Sequence, residues 1–192
     1  MHPILKKQNW IFDMDGTLTI PIHDFNEYKK LNNLPEHRPL LEAINELPTE
    51  QVQDALDKLE KWEEELAWRS ILAKDTLRML KYLHSNGKNI GLLTRNTRRL
   101  AHITLEATNI QSFFQPEVIL GRNCAQPKPS PDGIRKIMKI WDASPQDTVM
   151  LGDHQFDIDA GKSAGTATIF IGREHDSYSV ADIQITSFDD LF

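Results

Sequence analysis

Apolar runs short enough to be strands recur along this chain at Trp10–Phe12, Asn89–Leu93, Thr148–Leu151 and Ala167–Ile171, with a weaker one at Val118–Leu120. Turn-forming and polar residues bound each of them. Between the runs, over 75–85, 97–108, 131–141 and 155–164, apolar residues return every three or four positions, the period of a helix with one buried face. Strand and helix therefore alternate, which predicts an α/β fold with a parallel sheet between two layers of helices. Asn86-Gly87 marks the end of the first of these helices, and Ser130-Pro131 reads as a helix cap followed by proline at the first helical position.

One stretch breaks the alternation. From about Ile20 to Ser70 no strand pattern is present, and the centre is helical: Val52, Ala55, Leu56, Leu59, Trp62 and Leu66 form one stripe. Asp54, Asp57, Lys58, Glu60, Lys61, Glu63 and Glu64 fill the other side, the expected solvent face. Pro35, Pro39 and Pro48 divide the segment into short pieces, so a small helical insert is expected after the first strand. The core is then 1–19 and 71–192, with the insert at 20–70.

A chain of 192 residues is long enough to bury one full core. Its 22 Lys and Arg against 28 Asp and Glu give a net charge of -6, and the basic residues form no block, so nucleic acid and anionic membranes are not expected partners. A small soluble anion remains a possible ligand wherever cations gather. The single cysteine, Cys124, excludes an internal disulfide framework. No apolar window approaches the roughly 18 residues of a membrane span, and a cytoplasmic location is the expectation.

Ligands of an open parallel sheet gather at the carboxyl ends of its strands, which directs attention to the residues just past each apolar run. Asp13 and Asp15 follow the first run, in Asp13-Met14-Asp15-Gly16-Thr17. Two acids placed two residues apart at a strand end repel each other unless a cation, a shared proton or a substrate requires them. Thr94 follows the second run; Asp153 and, one helical turn on, Asp157 follow the fourth. Lys128 lies in a loop stiffened by Pro127, Pro129 and Pro131. Other signals carry less. Gly161-Lys162-Ser163 resembles the end of a phosphate-binding P-loop, but Phe156 stands where its first glycine is needed, and the seven histidines show no zinc-type spacing.

In their order and spacing, DMDGTLT, LLTRN, KPSPDG and GDHQFDIDAG resemble the haloacid dehalogenase superfamily, in its phosphoglycolate phosphatase-like branch with a small helical cap. The resemblance spans nearly the whole chain and implies a Rossmann-like core, with the insert as a cap closing over the site. It implies a Mg2+-dependent phosphatase acting on a small phosphorylated metabolite. Asp13 would be the nucleophile that forms an aspartyl-phosphate, and Asp15 the acid and base. Thr94 and Lys128 would hold the phosphoryl group, and Asp13, Asp15 (through its backbone carbonyl), Asp153 and Asp157 would serve the metal. Dehalogenating relatives lack an acid at the position of Asp15.

Plainer roles stand beside these. Asp153 and Asp157 suit the N-terminus of the following helix, Thr94 suits a helix cap, and Lys128 suits a solvated loop. Arg95, Arg98 and Arg99 read as a solvated helix face, with Arg95 a possible phosphate contact. On the insert, His23, Lys29, His37, Arg38 and Arg69 are candidate substrate contacts, and hinges are expected near Thr19–Pro21 and Arg69–Ala73. A phosphotransferase or sugar-phosphate mutase on the same scaffold, or a non-catalytic binding module, is the alternative reading.

Overall fold

The computed structural model describes residues 1–22, 24–172 and 180–192. His23 lies outside the described residues. Six strands, β1 (Asn9–Phe12), β2 (Asn89–Leu93), β3 (Ile119–Leu120), β4 (Thr148–Gly152), β5 (Ala167–Ile171) and β6 (Ile183–Ile185), form one parallel sheet. Their order is β3-β2-β1-β4-β5-β6. The chain thus builds outward from β1 on one side, then returns to the other side through β4. The switch point between β1 and β4 is where this class of sheet opens a crevice at its carboxyl edge.

Alternate residues of each strand feed opposite faces. Trp10, Phe12, Ile90, Leu92, Val149 and Leu151 pack with Met79, Leu80 and Leu83 of α4 (Thr76–Ser85) and with Ala101 and Leu105 of α5 (Arg98–Ala107). Ile11, Leu93 and Met150 pack with Ile134 and Ile137 of α6 (Asp132–Trp141) and Ala160 of α7 (Gln155–Ala164). A sheet covered on both faces needs no polar alternation, which is why its strands read as unbroken apolar runs.

Several elements differ from expectation. The third strand is only Ile119–Leu120, because Val118 closes a single 3-10 turn begun at Pro116. Helix α6 starts at Asp132, one residue late: Pro131 is the capping residue, while the Ser130 hydroxyl accepts from the Asp132 N–H at 3.3 Å. Strand β6 went unread because Ile183-Gln184-Ile185 is too short to show a period, and it exists by pairing with β5.

Residues 20–70 contain α1 (Phe25–Leu31), α2 (Leu40–Asn45) and α3 (Thr49–Trp68), packed around their own cluster of Tyr28, Leu34, Leu41, Ala43, Ile44 and Leu59. Asp24 caps α1 by accepting from the Glu27 N–H at 2.9 Å. The two crossing segments lie side by side, with Ile20 N donating to Ile71 O and Ala73 N to Leu18 O, each at 2.9 Å.

On the expected solvent face of α3, Asp54, Asp57, Lys58 and Lys61 are exposed, but Glu60, Glu63 and Glu64 meet the core. Glu63 is buried and accepts from both Nη atoms of Arg122, at 3.0 and 2.9 Å; Arg122 also donates to Arg95 O at 3.1 Å. Arg99 donates to Glu60 at 2.9 Å and Glu64 at 2.8 Å, and Arg95 grips both oxygens of Glu42 at 2.9 and 2.8 Å. The solvated-face reading of Arg95 is therefore corrected; Arg99 is exposed as expected while it reaches these glutamates, and Arg98 is held, donating to Pro116 O at 2.6 Å.

These pairs differ in weight because their exposure differs. Removing one partner of a buried pair strands the other charge, at about 3–5 kcal/mol, whereas exposed pairs contribute little. Glu63→Ala is therefore expected to lower stability by about 3–5 kcal/mol in denaturant unfolding, and Arg99→Ala to leave the midpoint nearly unchanged. Equal effects would show that exposure does not rank these contacts.

Candidate active site

Asp13 leaves β1 with its N–H donating to Leu151 O of β4 at 2.9 Å, and Asp153 lies just past the end of β4. Pairing of adjacent parallel strands thus sets the two carboxylates beside each other at the switch point. Asp157 comes from the first turn of α7, where His154 and Asp157 form a reciprocal cap; its Oδ2 accepts from the His154 N–H at 3.0 Å. Carboxylate oxygens of Asp13, Asp153 and Asp157 all lie within 4.8 Å of one another.

Lys128 enters from the loop before α6 and is only 2 % exposed. Its Nζ lies 2.5 Å from Asp13 Oδ1 and 2.5 Å from Asp157 Oδ1. The solvated-loop reading of Lys128 is excluded by this burial. Asp157 does cap its helix, and it holds Lys128 with its other oxygen.

Asp15 lies in the turn that follows β1. Its Oδ2 accepts from Asn96 Nδ2 at 2.8 Å. Thr94 is buried at the end of β2, donates its N–H to Leu120 O at 3.0 Å, and accepts from the Asn96 N–H on its hydroxyl at 3.1 Å. Thr94 is thus not a helix cap; Thr97 caps α5. Gly16 makes the close packing of the β1 loop possible. Its φ is +88°, and a Cβ there would stand 2.0 Å from Asp153 Oδ2.

Three of the acids are held well above their ordinary 3.8. Burial, then the charge of Asp13, pushes Asp15 up to about 7. Burial, then Asp13 and Asp157, pushes Asp153 to about 8, and burial raises Asp157 to about 6 against the pull of Lys128. Burial alone would lower Lys128, but Asp13 and Asp157 reverse it and hold it at about 12. Burial is the first cause in each acid, and the shortage of positive charge adds to it, since four carboxylates face one ammonium. Clustered hard oxygen donors with unmatched negative charge suit a divalent cation, so Asp13, Asp153 and Asp157 could hold a metal.

A cavity of about 410 Å3 opens above these groups and also meets Arg95, Arg122, His154 and Phe156. Arg95 stacks over the Phe156 ring at 4.6 Å and donates to Lys128 O at 2.6 Å. Among the insert candidates Lys29 lines the cavity, whereas Arg38 pairs with Glu46, and His37 and Arg69 are exposed outside it. Sequence reasoning missed Asn96 and Arg122. Asn96 follows Thr94 by two positions and was within reach of the strand-end argument, but Arg122 has no motif and is identified only by what it pairs with.

A doubly wound α/β sheet with this acidic, lysine-bearing crevice defines an enzyme of hydrolase type. The chain belongs to the haloacid dehalogenase-like hydrolase family, whose profile matches residues 21–171. It is 30% identical to a haloacid dehalogenase-like hydrolase domain-containing protein of Arabidopsis thaliana, over 91% of this chain and 76% of that one. It is 28% identical to the pyrophosphatase PpaX of Anoxybacillus flavithermus, over 94% of this chain and 93% of the relative. A family IA, variant 3 hydrolase from Entamoeba histolytica shares the fold at a TM-score of 0.78 and 16% identity, covering 96% of this chain and 95% of that chain. No helix among the described residues is long and apolar enough to cross a membrane.

Because Asp15, Asp153 and Asp157 bind protons more tightly folded than unfolded, the metal-free protein loses stability as pH rises from about 4 toward about 8. Thermal melts in chelator are expected to show that decline. Added Mg2+ is expected to reverse it at pH 8, and Asp153→Asn to raise the metal-free midpoint while removing the Mg2+ response. A Mg2+ response undiminished in Asp153→Asn would exclude this carboxylate as a ligand.

Proposed function

We propose that the protein is a Mg2+-dependent phosphatase that hydrolyses a small phosphate monoester through an aspartyl-phosphate on Asp13. The observation that carries this is the buried Lys128 ammonium, 2.5 Å from Asp13, within a carboxylate cluster whose oxygens lie within 4.8 Å of one another. The pyrophosphatase name of the bacterial relatives supports phosphoryl transfer to water.

Asp13 is the nucleophile. Its carboxylate oxygen bonds to phosphorus as the ester P–O bond breaks, and Asp15, protonated, gives its proton to the departing oxygen. Asn96 orients Asp15 through the 2.8 Å bond to Oδ2. In the second half Asp15 takes a proton from water as the water oxygen bonds to phosphorus, and the Asp13–phosphorus bond breaks to release phosphate. Lys128 neutralises charge on Asp13 and on the phosphoryl oxygens throughout, and Thr94 donates its hydroxyl to one of those oxygens. Asp13, Asp153, the Asp15 backbone carbonyl and, directly or through water, Asp157 would hold Mg2+. Bound there, the ion supplies the positive charge that lets a dianion approach a carboxylate. Arg95 steadies the Lys128 loop through its carbonyl.

Residues 20–70 act as the cap and 1–19 with 71–192 as the core. The paired crossing segments at Ile20 and Ile71 are the hinge, and the Arg–Glu contacts hold the closed state.

Asp13→Asn is expected to reduce phosphate release by on the order of a thousandfold or more, with the Mg2+ requirement seen as loss of turnover in chelator. Asp15→Asn is expected to reduce kcat/KM, which reports formation of the aspartyl-phosphate, by about 10²–10⁴-fold for alkyl phosphates and much less for p-nitrophenyl phosphate, because a good leaving group needs no proton. Equal losses on both esters would remove Asp15 from the acid role.

A further inference from the structure

The floor and roof of the cavity are chemically opposite. The floor carries the carboxylates, Thr94, Asn96 and Lys128. Among the described residues the roof contributed by the insert is mainly hydrocarbon: Pro21, Phe25, Pro39, Leu40, Leu41 and Leu59. Two charged insert residues also line it, and each has its bonding arranged within the protein. Glu63 accepts from both Nη atoms of Arg122, and Lys29 Nζ donates to Glu36 O at 2.6 Å and Arg38 O at 3.2 Å. At the edge, Arg95 is committed to Glu42 and to the Lys128 carbonyl.

A polyhydroxylated or doubly anionic leaving group against this roof would surrender its hydration to carbon, and recovering it there would require breaking one of these pairs, although His154 on the opposite wall is a polar group within the same cavity. A hydrocarbon leaving group would bury apolar surface on the roof and disturb none of them. Resting on the phosphatase reading above, we infer that the substrates are phosphate monoesters with an apolar leaving group, an alkyl or aryl phosphate, rather than sugar phosphates, phosphorylated acids or pyrophosphate. The bond cleaved and the groups that cleave it are unchanged. What the roof adds is selection among esters by the hydrophobicity of the departing alcohol.

The test is kcat/KM in Mg2+ for ethyl, butyl and hexyl phosphate, whose leaving groups are alike in acidity, against the butyl ester ending in a carboxylate, glycerol phosphate and pyrophosphate. The expected result is a rise of about fourfold for each methylene that reaches the roof, with the carboxylate-ended ester falling below butyl phosphate. Phe25, at 42% exposure, tolerates replacement, and Phe25→Ser is expected to flatten the slope of rate against chain length. A flat series in the unaltered protein, or preference for the carboxylate-ended ester or pyrophosphate, would overturn the inference. Loss of such a preference in Lys29→Met would assign that residue as an anion receptor instead. Binding of ethyl-, butyl- and hexylphosphonate by calorimetry separates the two readings: a chain-length gradient without turnover on any ester sinks the phosphatase and keeps the roof selectivity, and turnover with no gradient does the reverse.

Discussion

Like charge forced together is the constraint on which this structure rests. Parallel pairing of β1 with β4 places Asp13 beside Asp153, and the first turn of α7 adds Asp157, so carboxylate oxygens from three elements come within 4.8 Å. Lys128 answers part of that charge by standing between Asp13 and Asp157. A fully buried ammonium is itself expensive unless paired on more than one side. The two charge types are therefore mutually required: without Lys128 the acids repel, and without the acids the lysine would not enter. The remaining imbalance is what makes the crevice receptive to a cation and, with it, to a phosphate dianion.

Backbone geometry makes that concentration possible. Gly16 adopts a left-handed conformation and leaves the space that Asp153 fills. The β2 loop is likewise set by long-range contacts, since Thr94 is tied to Leu120 of β3 and Asn96 reaches across to Asp15. Lys128 is carried by the 121–131 connection, which Arg95 holds through the Lys128 carbonyl at 2.6 Å. This fits a site whose groups must keep their spacing.

The strand-end argument found the floor because it depends on short-range regularities: an apolar run of strand length, then a polar residue. Asp13, Asp15, Thr94, Asp153 and Asp157 each obey it, and the parallel sheet with its helical insert followed from the same periodicities. The roof was illegible for the opposite reason. Glu63 lies among eight other charged residues of α3, and only its pairing with Arg122, 59 positions away, distinguishes a buried salt bridge from a solvated face. Arg95 was misread for the same cause, since the glutamate that holds it belongs to the insert. Periodicity reports which side of a helix is charged; it does not report whether another element brings matching charge to it.

That contrast bears on how the two halves of the site can change. The floor is fixed by strand register, so a shift of one residue would turn Asp13 and Asp153 away from each other, and its chemistry is tied to the fold itself. The roof is fixed by a few Arg–Glu contacts and by hydrocarbon side chains of α1, α2 and α3, none of which the sheet requires. Phe25 and Leu40 can vary without moving Asp13, because their packing partners lie within the insert cluster. On the phosphatase reading, recognition of the leaving group is thus separable from cleavage of the ester, and the Arg95–Glu42 and Arg122–Glu63 pairs are the contacts that join the insert to the core beside the site.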